Sequence, residues 1–128
     1  MRILLDTHIL LWALTADVKL GEHAKKIILN AENQIYVSAA SIWEVAIKHR
    51  KNPKIMPLSP EVLIKACSDS GYNWLDVNVY HASATEKLPL LHSDPFDRLL
   101  IAQAIHEPMR LLTCDKQLKA YSDLVQLV

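Results

Sequence analysis

Apolar residues along this chain come in short bursts of two alternating kinds. Compact runs, "RILL" at 2–5, "QIYVSA" at 34–39, "RLLTC" at 110–114 and "LVQLV" at 124–128, read as buried strands. "NWLDVNV" at 73–79 alternates apolar with polar, as a strand with one wetter face does. Helical spacing fills the intervals: "THILLWAL" at 7–14, "EHAKKIILNA" at 22–31, "SIWEVAIKHR" at 41–50, "YHASATEKL" at 80–88 and "DRLLIAQAIH" at 97–106. A further helix is bracketed by its own signals, with Ser59 as cap, Pro60 at the first helical position and Gly71 closing the unit. Strands alternating with helices predict α/β units around a central, mostly parallel sheet covered on both faces. A length of 128 residues suits one domain spanning 1–128.

Composition removes several classes of function. With Gly21 and Gly71 as the only glycines, glycine-rich phosphate loops are excluded. Two cysteines, Cys67 and Cys114, without a CxxC pair, argue against a disulfide scaffold or zinc ribbon and fit a reducing cytoplasm. Asp6 and His8 interrupt the apolar N-terminal run, and no small-residue cleavage site follows, so neither a signal peptide nor a membrane span is expected. Lys plus Arg balance Asp plus Glu at 14 each, so any nucleic acid must be gripped locally. Arg98, Lys116 and the basic run "KHRKNPK" at 48–54 are the cations available, although such a run also serves as a solvated helix end.

In sheets of this kind, sites collect beyond the carboxyl ends of the strands. Four acids are expected there: Asp6 after "RILL", Glu44 in the first turn of the helix after "IYVSA", Asp97 opening "RLLIAQA", and Asp115 after "RLLTC". Each also has an ordinary role open to it. Asp6 and Asp115 could cap helices, "SIWE" at 41–44 fits a capping box, and Asp94 could cap a helix with Pro95 next in line and Asp97 favouring its dipole. Capping, however, does not demand carboxylates at every turn of one edge. Four converging carboxylates must hold protons or bind a cation, and an all-oxygen set suits Mg²⁺ or Mn²⁺. Such an ion activates a water and clamps a phosphate oxygen, which is nuclease chemistry.

Four separated pieces, "LLDTHILLW", "VSAASIWEVAIK", "LPLLHSDPFDRLLIAQA" and "LLTCDKQLKAY", together resemble the PIN domain, in particular VapC-type toxins of toxin–antitoxin pairs. The resemblance implies a three-layer α/β/α fold, an Mg²⁺- or Mn²⁺-dependent endoribonuclease activity, a cognate antitoxin partner and a homodimer. Its metal-binding and catalytic acids fall on Asp6, Glu44, Asp97 and Asp115. Asp94 is expected to cap, with a water-mediated metal contact as the alternative; Thr113 could orient a carboxylate, and Arg98 could meet a phosphate or serve in a structural salt bridge. For His8 and His92 a hydrogen-bonded structural role is expected, with metal ligation or general-base work as the alternative, and Trp12, Trp43 and Trp74 are expected mostly in the core, although Trp12 could sit in a partner groove. Two rivals stand beside this reading. An aspartyl-phosphate route through Asp6 would want a second aspartate where His8 stands, and a phospho-receiver-like or interaction domain would bind a cation without turnover.

Overall fold

The computed structural model describes residues 1–128. Five strands, β1 (Arg2–Leu5), β2 (Gln34–Ser38), β3 (Asn73–Leu75), β4 (Arg110–Thr113) and β5 (Val125–Leu127), form one sheet in the order β3-β2-β1-β4-β5. Every pairing is parallel. Six helices cover it: α1 (Thr7–Thr15), α2 (Glu22–Leu29), α3 (Ala39–Lys51), α4 (Pro60–Asp69), α5 (Val79–Ala84) and α6 (Pro95–His106), with 3₁₀ turns at Thr85–Lys87 and Lys116–Tyr121.

Successive side chains of a strand point to opposite faces, and here that alternation sorts the layers. Ile3, Leu5 and Leu112 pack with Ile9 and Leu10 of α1, Val45 of α3 and Leu63 of α4. Leu4 and Leu111 face the other way, onto Leu100, Ile101 and Ala104 of α6 and onto Leu118. The result is the expected three-layer α/β/α sandwich. From β1 the chain steps outward to β2 and β3, then returns to place β4 on the other side of β1. The strand order therefore reverses between β1 and β4, where open α/β sheets form their crevice.

Two elements depart from expectation. The alternating stretch 73–79 keeps only three strand residues, because Asn78 caps α5 in a reciprocal box with His81 and turns the chain into a helix at Val79. Helix α3 begins at Ala39, capped by Ser38, whose hydroxyl accepts from the Ala40 amide. Glu44 thus lies in the second turn, not the first, and "SIWE" forms no capping box. Ser59 and Gly71 behave as expected, the first accepting from the Val62 amide at 3.2 Å and the second adopting φ +76° after α4.

Candidate active site

Asp6 leaves β1 at the cap position of α1, yet its side chain makes no cap hydrogen bond. Its Oδ2 instead accepts from the Thr113 hydroxyl at 2.6 Å, across the β1/β4 boundary. That hydroxyl also accepts from the Asp115 amide at 3.0 Å, so one side chain fixes the geometry of two acids. Asp6 is 4% exposed. Burial pushes its pKa up, against the Thr113 hydrogen bond, and the nearby Glu44 charge adds to the rise.

Glu44 is brought to the same place by α3. Its Oε1 accepts from Thr7 Oγ1 at 2.8 Å, and Thr7 Oγ1 lies 2.9 Å from Ser41 Oγ. Its Oε2 meets the Lys48 ammonium at 2.5 Å, one helical turn on. Both carboxylate oxygens of a buried acid are thereby engaged by side chains rather than by backbone.

Asp97 enters in the first turn of α6. Its Oδ2 is 2.8 Å from His92 Nε2, while His92 Nδ1 is 2.9 Å from Gln117 Oε1. Burial pushes the Asp97 carboxyl up to about 6; the His92 hydrogen bond opposes this, and the charges of Asp6 and Asp94 reinforce it. The hydrogen bond to Asp97 raises the His92 pKa in turn. Asp115 caps the following 3₁₀ turn through Oδ1, which accepts from the Gln117 amide at 2.9 Å. Ligand-capable atoms of His92, Asp97 and Asp115 lie within 4.8 Å of one another.

Carboxylates from four separate segments thus share the crevice beyond β1 and β4. The PIN domain profile matches residues 3–124, nearly the whole chain. The chain belongs to the PIN domain family. Two solved structures have the same fold: a chain of VapBC2 from Rickettsia felis, in a complex with a DNA fragment from their promoter, and one of DNA-bound VapBC from Salmonella typhimurium. The first is 19% identical with a TM-score of 0.72, covering 100% of this chain and 98% of that one. The second is 17% identical with a TM-score of 0.67, covering 100% and 97%. No curated protein matches the chain. PIN domains are nuclease-type hydrolases that generally use a divalent metal.

The residues of this PIN domain fit such a metal. The acids offer oxygen donors, at least two of them carry pKa values raised chiefly by burial, the Lys48 ammonium leans in as a counter-charge, and His92 hydrogen-bonds Asp97.

Several expectations need correction. Only Asp6 and Asp115 directly follow strands; Asp97 arrives from a loop after α5 and its 3₁₀ turn. Arg98 makes no salt bridge, and its terminal nitrogens donate to the carbonyls of Pro89 (2.8 Å), Thr85 (2.9 Å) and Leu88 (3.2 Å), so its fork is not open to a phosphate. It anchors the loop that carries His92. His8 is exposed and makes no hydrogen bond; its ring lies 6.0 Å from Trp12. Trp43 and Trp74 are 61% and 39% exposed, the first on a face of α3 turned away from the sheet and the second on edge strand β3. Asp94, by contrast, caps α6 as expected, through Oδ1, which accepts from the Phe96 and Asp97 amides at 2.8 and 3.1 Å.

His92 as an Asp97 partner, Thr7 and Ser41 were not singled out from sequence. Lys48 had a visible signal, standing four residues after Glu44 on one helix. Nothing local marks His92, whose partners Asp97 and Gln117 are assembled by the loop fold.

Proposed function

We propose that this chain is a metal-dependent endoribonuclease and the toxin of a toxin–antitoxin pair. The observation that carries the reading is the convergence of Asp6, Glu44, Asp97 and Asp115 on the β1/β4 crevice, with Asp6 and Glu44 free of the capping roles that would otherwise explain them. These four acids would hold Mg²⁺ or Mn²⁺, directly or through water. When bound, the ion supplies positive charge that acidifies a water and neutralises phosphate oxygens during in-line hydrolysis.

The chain's own groups do the rest. Thr113 orients Asp6 and the backbone before Asp115, Thr7 orients Glu44, and His92 presents Nε2 to Asp97 Oδ2. None of the acids has to act as a covalent nucleophile. RNA as substrate and an antitoxin as partner follow from the motif resemblance, and the fold shared with chains of VapBC complexes supports the second. A homodimer belongs to the same proposal and follows from the motif resemblance alone. The free thiols of Cys67 and Cys114 support a cytoplasmic setting, and no helix is long and apolar enough to cross a membrane.

The test is incubation of the antitoxin-free protein with a mixed pool of structured and single-stranded RNAs in Mg²⁺ or Mn²⁺, beside EDTA and Asp97→Asn controls. Cleavage that needs the metal and disappears in the variant is expected. Cleavage that persists in a folded Asp97→Asn protein overturns the assignment. Metal binding without turnover on any RNA would favour a phospho-receiver-like or interaction domain.

A further inference from the structure

Lys48 stands between the carboxylates and a groove outside them. Its ammonium lies 2.5 Å from Glu44 Oε2, yet its side chain is 45% exposed against 6% for Glu44. Outward, Lys48 lines a groove of about 400 Å³ with Lys51, Asn52, Ile55 and Met56. His49 Nδ1, 2.7 Å from the Met56 carbonyl, clips the far wall of that groove to α3. Lys51 forms no ion pair.

A polyanion approaching this crevice meets four carboxylates on a chain of zero net charge. Arg98 is committed to carbonyls, so the relief must come from elsewhere. A divalent ion on Glu44 would compete for Oε2 and repel the ammonium, leaving Lys48 at the rim with its charge unspent. The groove beside it falls in the usual size range of small-ligand sites, roughly 300–1,000 Å³.

We propose that Lys48 is a substrate-binding residue: its ammonium passes from Glu44 to a phosphate oxygen of the bound RNA, and the groove it lines with Lys51 and Asn52 takes the phosphate of a neighbouring nucleotide. This rests on reading the acids as a ribonuclease site. It makes the C-terminal half of α3 a track for the RNA backbone and gives the basic run at 48–54 a defined starting point.

The test is fluorescence anisotropy of a labelled single-stranded RNA, chosen from those the wild-type protein cleaves, with Ca²⁺ in place of Mg²⁺ and salt varied. Lys48→Gln should weaken binding roughly tenfold, and the slope of log affinity against log salt should shrink by about 0.7, one phosphate contact on a single strand. Lys48→Arg should restore most of the affinity, and Lys51→Gln should act in the same direction. Lys65→Gln, which removes a charge from α4 where Lys65 pairs with Asp69, should leave binding unchanged. The Ca²⁺-induced rise in melting temperature should survive in Lys48→Gln. If Lys48→Gln only lowers the metal-free melting temperature and keeps wild-type RNA affinity and salt slope, Lys48 is a structural partner of Glu44 and this inference fails, with the nuclease reading intact. A wild-type protein that neither binds nor cleaves any RNA overturns both.

Discussion

A histidine–carboxylate pair lies at each end of helix α6, the histidines supplied by α5 and by the loop before α6, and the two ends behave differently. At its C-terminal end His81, 1% exposed, has its Nε2 at 2.5 Å from Glu107 Oε2, while its Nδ1 accepts from the Asn78 amide at 3.2 Å. Gln103 closes the surroundings, accepting from Ser38 Oγ at 2.6 Å and donating to the Asp76 carbonyl at 3.3 Å. By distance alone His81, His106 and Glu107 could hold a metal. Hydrogen-bond direction says otherwise: with Nδ1 occupied as an acceptor, Nε2 carries the proton and has no lone pair to offer. At the N-terminal end His92 likewise meets Asp97, but Asp6, Asp94 and Asp115 crowd the same space. A histidine–carboxylate pair is therefore not by itself a functional sign; uncompensated charge around it is.

Exchanging the two carboxylates for their amides should produce the largest contrast. Asp97→Asn should lower RNA cleavage by at least about two orders of magnitude, since the lost charge stabilises the reacting phosphate through the ion by several kcal/mol. Glu107→Gln should instead lower the melting temperature while cleavage per folded molecule stays near wild type. Comparable cleavage in both variants would erase the distinction between the ends.

A smaller effect is expected from Thr113→Val. It leaves Asp6 Oδ2 and the Asp115 amide without their shared partner, which should cost roughly 10- to 100-fold in metal affinity or activity and about 1–3 kcal/mol of stability. Metal titration followed by melting temperature checks it, and unchanged affinity would remove Thr113 from the site.

The smallest effect concerns pH. Asp97 is raised from 3.8 to about 6 and His92 is raised above 6.5, so in both cases the folded chain holds its proton more tightly than the unfolded one. The stability each contributes is present at low pH and lost as pH rises, through about 6 for Asp97 and through the raised His92 value beyond it. The melting temperature of metal-free protein should therefore fall between pH 5 and pH 8 through these two groups. Asp97→Asn should flatten that fall, and Glu107→Gln should leave it in place.

The layered fold and the edge bearing the acids could be read from the chain because both depend on local pattern: buried runs at fixed intervals, and acids where those runs end. Asp94 was legible as a cap for the same reason. The start of α3 was not, since Ser38 and Ser41 are both good caps and only packing on the sheet chooses between them. The strand expected at 73–79 ends early, at Leu75, because its alternation looked regular while the Asn78–His81 box, a helix-starting signal, lay across its end. A hydrogen-bonded role was legible for His92, but its partners and those of Arg98 were not, because they are carbonyls and side chains brought together by a loop whose path no periodicity reveals. Both acids at the β1/β4 boundary kept carboxylate oxygens for something other than capping, a fact visible only from hydrogen-bond geometry.

The central claim is that the β1/β4 crevice holds unbalanced negative charge that a divalent cation neutralises. The most direct measurement is the melting temperature of metal-free protein titrated with Mg²⁺ and, separately, Ca²⁺ at neutral pH, for wild type, Asp6→Asn and Glu107→Gln. A saturable rise in wild type and Glu107→Gln that is lost in Asp6→Asn is the predicted result. A flat wild-type titration, or a rise that Asp6→Asn leaves unchanged, would contradict the account.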